Sequence, residues 1–389
     1  MYDYRVSRSL LDPPLTLAGL LLAAGLLLLG VLLYRRRFRL EAFAIFWFFL
    51  ALSVESSFIP LQDVIFEHRL YLPLFGFALL LPALLFHLAG KRPAGLRTAT
   101  GFLLLVSLVF GGLAFARNRV WRTELSLWSD AARKSPRSTR ALLKLAEAYD
   151  AQGSYALAVE INSRIIRYQP RLAEAYLNRA VAYKKLGEAE AALRDLDRAL
   201  EIRPAYPGAY FNRAIIRRTR GDRKSARADL DRALEIQPAF PAAAYWRGLI
   251  YLEEGAADSA LADFNRAVAI QPDHLPALFQ RGRLLLRKRD FERAAADFSL
   301  VLKHDPGHVP AYNQRAIALA GAGRTEAAIA DWREALRRKP DFGEAGFNLA
   351  LTYYLMGDYA RARECVRNLE AIRYPVPAAF LRDLQKVAD

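Results

Sequence analysis

Apolar residues follow two different patterns along the chain: continuous runs before residue 117 and a short period after it. The stretch LTLAGLLLAAGLLLLGVLLY, at 15–34, holds twenty residues without a charge. At about 1.5 Å per residue such a helix spans roughly the 30 Å apolar core of a bilayer. Uncharged runs of nineteen residues at 71–89 and 98–116 follow. The three runs predict transmembrane helices.

A fourth apolar stretch is ambiguous, because only thirteen residues separate Glu41 from Glu55. That length also suits a buried or re-entrant segment. If the stretch spans, the arginine-rich loops at 35–39 and 91–97 lie on one side, which the positive-inside rule makes cytoplasmic. We therefore predict a membrane domain at 1–116 with spans at 15–34, 40–60, 71–89 and 98–116, and everything after residue 116 on the non-cytoplasmic face.

Beyond residue 120 the chain repeats every 34 residues. The signature is a row of prolines at 136, 170, 204, 238, 272, 306 and 340. When Ala173 is taken as position 1 of a unit, small residues recur at positions 8 and 20 and a bulky residue at position 24. Glycine occupies position 15 in most units, where a first helix, A, must end, and proline at position 32 ends a second helix, B.

This pattern resembles the tetratricopeptide repeat, a pair of antiparallel helices that stacks into a superhelix. We expect an all-α fold in which transmembrane helices precede a tetratricopeptide-repeat superhelix of about seven repeats at 139–375. Trp128, Ala131 and Pro136 fit positions 24, 27 and 32. They predict a half-repeat at 117–138 that joins the membrane part to the repeats, and a tail remains at 376–389.

Opposite charges recur sixteen residues apart, with arginine at position 7 and aspartate at position 23. The pairs are Arg179 with Asp195, Arg213 with Asp229, Arg247 with Asp263, Arg281 with Asp297, and Arg315 with Asp331. The spacing places each pair on facing surfaces of helices A and B. One interpretation is a charged binding row; we prefer a structural ladder of half-buried ion pairs that sets helix register, because each arginine has its own acid.

Position 5 should face the concave surface that helix A lines in such superhelices. Its residues, called here the position-5 row, are Leu177, Phe211, Tyr245, Phe279, Asn313 and Phe347. Rings at fixed intervals suit an extended peptide or a polymer whose units can stack against them, and the partner we expect there is a protein or an extended peptide. They could equally pack against the next repeat, and full burial of Phe211, Tyr245 and Phe279 would remove the basis of a binding groove.

Composition narrows the partners. The net charge is +16 with a pI near 10.0, spread along the chain without a nucleic-acid-binding motif, so we expect no nucleic acid partner. The single cysteine, Cys365, permits no internal disulfide, and no Cys/His spacing indicates zinc. We therefore expect no metal and no cofactor.

The order of parts, with EHRLYLP at 67–73 and RNRVWRTELSLWSDAARKSP at 117–136, resembles the second half of transmembrane and tetratricopeptide-repeat-containing O-mannosyltransferases and their bacterial relatives. In that superfamily the catalytic acids lie in an earlier extracytoplasmic loop, so the resemblance implies a chain without its catalytic half. It also implies a site for a polyisoprenyl phosphate, for which Arg69 is the candidate with Glu67, His68 and Tyr71 as neighbours. A simple Glu67–Arg69 pair at a helix start is the alternative.

Two functions follow from these observations. The first is a multi-pass membrane protein, in a bacterial inner membrane with periplasmic repeats, that presents a scaffold for binding a protein or an extended peptide. The alternative is the acceptor-binding part of a glycosyltransferase that uses a lipid-phosphate sugar donor. No catalytic residue can be assigned in this sequence.

Overall fold

The computed structural model describes residues 15–56, 71–89 and 93–387, and every regular element in these ranges is helical. The chain falls into two compact units, Met1–Leu186 and Gly187–Asp389. The all-α prediction is confirmed for the described residues. Glu67, His68 and Arg69 lie outside them, as does the side chain of Tyr71 at the start of a helix.

The first unit begins with four helices whose bounds follow the apolar runs. They are α1 (Leu15–Arg35), α2 (Arg39–Ser56), α3 (Tyr71–Ala89) and α4 (Pro93–Asn118). Gly30 brings α1 close to α2, since a Cβ at that position would lie 3.2 Å from Ile45. Phe38, just before α2, packs edge-on against His87 of α3.

Within the residues that can be described, no helix combines the length and the hydropathy needed to cross a membrane. The predicted transmembrane spans therefore find no support in this part of the chain, although helices cover 15–34, 40–56, 71–89 and 98–116.

The same unit continues into repeat-like helices after a 3-10 turn at Arg119–Trp121. Thr123 and Ser126 form a capping box at the start of the first of them, which satisfies two backbone N–H groups that a helix start leaves without partners. The helices are α5 (Glu124–Lys134), α6 (Thr139–Ala151), α7 (Tyr155–Tyr168) and α8 (Ala173–Leu186). The predicted half-repeat is thus a single helix, α5, whose core residues include Ala132 packed with Leu142 and Ile165.

The second unit contains the remaining helices of the repeats. These are α9 (Ala189–Ile202), α10 (Pro207–Thr219), α11 (Arg223–Ile236), α12 (Pro241–Glu253), α13 (Ala257–Ile270), α14 (Leu275–Arg287), α15 (Phe291–His304), α16 (Val309–Gly321), α17 (Thr325–Arg338), α18 (Gly343–Leu355), α19 (Tyr359–Ala371) and α20 (Ala378–Lys386). The last of them occupies the tail that the sequence left unassigned.

Position 15 ends helix A in a left-handed conformation. Gly221, for example, has φ of +85°, a region that suits glycine because it has no Cβ. Arg289 holds the same place in its repeat with φ of +59°. The turn geometry is therefore kept even where the sequence does not supply glycine.

The core of the second unit forms where helices A and B cross. Ala214 and Ala226, at positions 8 and 20, have no exposed surface, and Leu230 at position 24 packs in the same cluster. Where position 24 is phenylalanine, position 8 is glycine: a Cβ on Gly248 would lie 2.8 Å from the ring of Phe264. Small and bulky positions thus complement each other within a repeat.

Candidate functional site

The position-5 row lies on the A helices, and its members differ in burial. Leu177, Phe211, Tyr245, Phe279 and Phe347 are half-buried. Asn313 is buried; its Oδ1 accepts hydrogen bonds from Trp332 Nε1 at 3.0 Å and Asn348 Nδ2 at 3.1 Å. Asn313 therefore belongs to the core. Trp332 at position 24 is bulky and needs an acceptor for its indole N–H, and the small amide of Asn313 supplies that acceptor where an aromatic ring could not.

Three rings of the row also contact the next repeat. Each packs against the side chain that precedes the following A helix, at position 34 of its own repeat. The centroid distances are 5.1 Å for Phe211 with Phe240, 5.2 Å for Tyr245 with His274, and 5.0 Å for Phe279 with His308. The rings thus stabilise the stacking of repeats while keeping part of their surface exposed, so the two interpretations of the row are compatible.

His274 and His308 cap the starts of helices α14 and α16. Nδ1 of His274 accepts the backbone N–H of Ala277 at 3.2 Å, and Nδ1 of His308 that of Ala311 at 3.1 Å. Because this bond needs an unprotonated Nδ1, the neutral rings carry their proton on Nε2. Burial lowers the pKa of His274, which favours this neutral form.

These histidines belong to an open cavity of about 610 Å³ between consecutive A helices. Tyr245 and Phe279 of the row contribute aromatic surface, and the carboxylates of Asp273 and Asp305 line the same cavity. A cavity of this size, with two rings, two imidazole N–H groups and two acids, can accept an apolar side chain and hydrogen-bonding or basic groups beside it. The sequence analysis missed both histidines; their place directly before an A helix was the available signal.

Within the second unit the structure brings together four predicted ion pairs. In each, Nε and Nη2 of the arginine donate to the two carboxylate oxygens of the aspartate sixteen residues later. The Nη2–Oδ1 distances are 2.6 Å for Arg213 with Asp229, 2.6 Å for Arg247 with Asp263, 2.6 Å for Arg281 with Asp297, and 2.7 Å for Arg315 with Asp331. The aspartates are buried and the arginines half-buried. Hydrogen bonds to Asp263 raise the pKa of Arg247 despite its burial.

Each ladder arginine has a further partner that the sequence analysis did not foresee. Its Nη1 reaches position 25 of the preceding B helix. That residue is Asp197 for Arg213 at 2.6 Å, Asp231 for Arg247 at 2.7 Å, Asn265 for Arg281 at 3.3 Å, and Ser299 for Arg315 at 3.2 Å. A second sixteen-residue spacing, from position 25 to position 7 of the next repeat, was the signal for it.

The remaining predicted pair, Arg179 and Asp195, has one member in each unit. Arg179 donates to Ser163 Oγ at 2.9 Å within the first unit, the same position-25 contact as in the other repeats. Asp195 is buried in the second unit.

The proposed lipid-phosphate site cannot be built from the described residues, because Glu67, His68 and Arg69 lie outside them. It stays a prediction of the sequence, and unchanged lipid-phosphate binding by an Arg69→Ala variant would contradict it.

Solved structures with a similar fold include several repeat proteins. The C-terminal part of a tetratricopeptide-repeat protein from Cytophaga hutchinsonii is 16% identical with a TM-score of 0.50, covering 64% of this chain and 99% of that one. PilF from Pseudomonas aeruginosa is 16% identical with a TM-score of 0.49, covering 53% and 94%. YrrB, described as a tetratricopeptide-repeat protein with an unusual peptide-binding site, is 25% identical with a TM-score of 0.43, covering 48% and 96%. A search of curated protein sequences found no match.

Three family models, all described as tetratricopeptide repeat, match the chain. One matches residues 113–171, 211–274 and 313–373, the second 173–206 and the third 251–318. Together they cover more than half of the chain, and the second coincides with the 34-residue unit that begins at Ala173. The chain belongs to the tetratricopeptide-repeat family.

Proposed function

We propose that this protein is a scaffold that binds a segment of a partner protein along the position-5 row. The observation that carries the proposal is the cavity of about 610 Å³ in which Tyr245 and Phe279 remain partly exposed beside His274 and His308. Half-exposed rings at a regular spacing offer apolar surface that loses little conformational entropy on binding.

The chemistry of the cavity indicates the kind of segment. Asp273 and Asp305, which line the cavity, supply negative charge. We therefore expect a peptide that inserts an aromatic or aliphatic side chain between the rings and carries a lysine or arginine next to it.

The test is selection of peptides from a random library on the purified full chain, followed by affinity measurement for the selected sequences. We expect an aromatic or aliphatic residue with a neighbouring basic residue to be enriched. Tyr245→Ala and Phe279→Ala should each weaken binding by about tenfold or more, as expected for loss of an anchoring ring. Tyr168→Ala removes an exposed ring outside the row and serves as the control. Selected peptides that bind both row variants as tightly as the unaltered chain would refute the proposal.

We further propose that helices α1 to α4 attach the protein to a membrane, with the repeats on the non-cytoplasmic face. Support comes from exposed leucine side chains on these helices: Leu21 is 66% exposed, Leu28 61% and Leu108 73%. Apolar surface of this extent, on α1 and on α4, is rare on a chain surrounded by water.

Fractionation of cells that express the full chain tests this attachment. We expect the chain to stay in the membrane pellet after an alkaline wash, and protease added to spheroplasts to remove the repeats. Release into the washed soluble fraction would contradict attachment. If the protease digests the repeats only after the spheroplasts are lysed, the repeats lie on the cytoplasmic face, opposite to the proposal.

A further inference from the structure

The ladder of ion pairs ends in the last complete repeat, which is formed by α18 and α19. Position 7 is Leu349 instead of arginine, and position 23 is Cys365 instead of aspartate. Position 25 of the preceding B helix is Arg333, where earlier repeats have a hydrogen-bond acceptor. Position 4, which is tyrosine under several of the ladder arginines, is Gly346.

These four changes surround a cavity of about 520 Å³ between α17, α18 and α19. Leu349 and Gly346 form part of its wall together with Leu336 and Leu369. Cys365 also lines it, and burial raises the pKa of this thiol to about 11, so at neutral pH it adds no charge. Glu364 and Asn368 also line the cavity. The wall is therefore apolar at Leu349 and Cys365, where other repeats hold an ion pair, and polar at Glu364 and Asn368.

Two arginines that line the cavity, Arg333 and Arg361, lie close to the ring of Tyr353. Arg333 donates to the hydroxyl of Tyr353 at 2.6 Å, and its guanidinium lies 5.9 Å from the centre of that ring. Arg361 lies 5.6 Å from the same centre and pairs with Asp358 at 3.2 Å. Among the described residues no carboxylate lies within 4.0 Å of the Arg333 guanidinium, in contrast to the ladder arginines.

The preceding repeat offers an internal comparison. Its equivalent cavity, of about 410 Å³, is lined by Ser299, Arg315 and Asp331, in the places of Arg333, Leu349 and Cys365. There the arginine is neutralised by a bidentate aspartate. In the last repeat the ion pair is lost, Arg333 and Arg361 line the cavity, and its acid is Glu364, in the place of Ala330.

We propose that the cavity in the last repeat binds a small amphipathic carboxylate, with its apolar chain against Leu349 and Leu369 and its head group on Arg333 and Arg361. A guanidinium fixed by a ring and a hydroxyl is well placed to donate two parallel hydrogen bonds to a carboxylate. The volume lies within the range of small-molecule sites, and an apolar wall with a few polar groups at one end is their usual composition.

Octanoate is the probe. The measurements use the purified full chain in buffer with lipid, and the same buffer and lipid without protein is the blank. Cys365 is the chain's one cysteine and lines the cavity, so its rate of alkylation by N-ethylmaleimide reports occupancy at this place. We expect octanoate to slow alkylation and to bind in calorimetry, whereas octanol and octylammonium bind far more weakly. Absence of protection by octanoate, or equal binding of octanol, would overturn the proposal.

Substitutions separate the head-group contact from the general fold. Arg333→Gln and Arg361→Gln should each weaken octanoate binding by about tenfold, as expected when a charge-assisted hydrogen bond is lost. Arg367→Gln, on the exposed side of the same helix α19 and away from the cavity, should leave it unchanged. Unaltered affinity in both head-group variants would refute the assigned head-group site.

A triple variant tests the apolar wall. Leu349→Arg with Cys365→Asp and Arg333→Ser copies the set Arg315, Asp331 and Ser299 of the preceding repeat, so the chain should keep its fold by circular dichroism. Octanoate binding should then be abolished, and retained binding would overturn the proposal. If the triple variant does not fold, the two head-group variants still decide, and Tyr245→Ala in the separate row should leave octanoate binding intact.

Discussion

At the scale of single residues, the ladder arginine does more than pair two helices of one repeat. Arg247 on α12 bonds Asp263 on α13 through two parallel hydrogen bonds and Asp231 on α11 through a third. One side chain therefore joins the A and B helices of its own repeat to the B helix before it. The outer partner changes along the unit from aspartate to asparagine and serine, so the charge in this inter-repeat contact decreases towards the last repeats.

Replacing Asp263 by alanine should lower the free energy of unfolding by about 3 kcal/mol, because the half-buried guanidinium of Arg247 loses its buried acid and keeps only the exposed Asp231. The measurement is urea denaturation followed by circular dichroism. Asp231→Ala is the matched control: it removes a partner of the same arginine, but one whose side chain is 42% exposed, and should cost less than about 1 kcal/mol. A loss below about 0.5 kcal/mol for Asp263→Ala would refute the structural ladder.

His274 should make stability depend on pH. Its pKa is lowered in the folded protein by burial, so its contribution is fully present above the unfolded value of 6.5 and is lost as pH falls below it. Protonation also opposes the cap on Ala277, because Nδ1 can then no longer accept.

The variant His274→Asn keeps a side chain that accepts the same N–H and does not titrate. At pH 7.5 its stability should match the unaltered chain within a few tenths of a kcal/mol, and at pH 5.5 the variant should be the more stable by up to about 1 kcal/mol. Denaturation curves at the two pH values provide the measurement. His304→Asn, which changes an exposed histidine that caps no helix, should show no such gain.

At the scale of helix pairs, the side chain at position 8 is smaller where the side chain at position 24 is larger. Leu230 packs in the same cluster as Ala214. The larger Phe264 packs against Gly248, and Phe298 packs against Gly282. Where position 24 is Trp332, position 5 is Asn313 instead of an aromatic residue, and its Oδ1 accepts the indole N–H. The same crossing of helices A and B is thus filled by a different set of side chains in different repeats.

Gly248→Ala should destabilise the protein by about 1–3 kcal/mol, because the added methyl group would overlap the Phe264 ring in a packed core. A compensating Phe264→Leu substitution recreates the Ala214–Leu230 combination and should recover most of that loss. Thermal unfolding of the two single variants and the double variant gives the coupling energy. Costs that merely add would show that the two positions do not share the space.

The repeat phase explains how much could be predicted from the sequence. Prolines and glycines at fixed positions predicted where helices A and B end, and small residues predicted where they cross, because these residues act through local backbone geometry and direct contact within a pair. Arg289 was not predicted as a left-handed residue, because neighbouring helices impose that turn on it. The burial of Asn313 and the outer partners of the arginines depend on packing between repeats, which the period alone does not give.

At the scale of the molecule, half-repeats flank the array. In the first unit α5 supplies a B-type helix ahead of the first complete repeat, in the register of Trp128 and Pro136. In the second unit α20 begins at Ala378, 35 residues after the start of α18 at Gly343. It places Phe380 against Phe347 and Tyr354, at 5.5 and 5.4 Å between ring centres. Since each repeat in such an array is stabilised mainly by its neighbours, α20 protects the apolar face of the last pair.

Phe380→Ala should therefore weaken the array locally. The side chain is 9% exposed, so its loss should cost about 3 kcal/mol, and the cost should fall on the repeat it covers. Hydrogen exchange read by mass spectrometry should show faster exchange in α18 and α19 and unchanged exchange in α10 to α13. Met356→Ala, which truncates a side chain that is 49% exposed at the end of α18, should alter neither region. Equal acceleration in all helices of the unit would mean that the repeats unfold as one cooperative body, because a nearest-neighbour array confines the effect of a lost end contact to the adjacent pair.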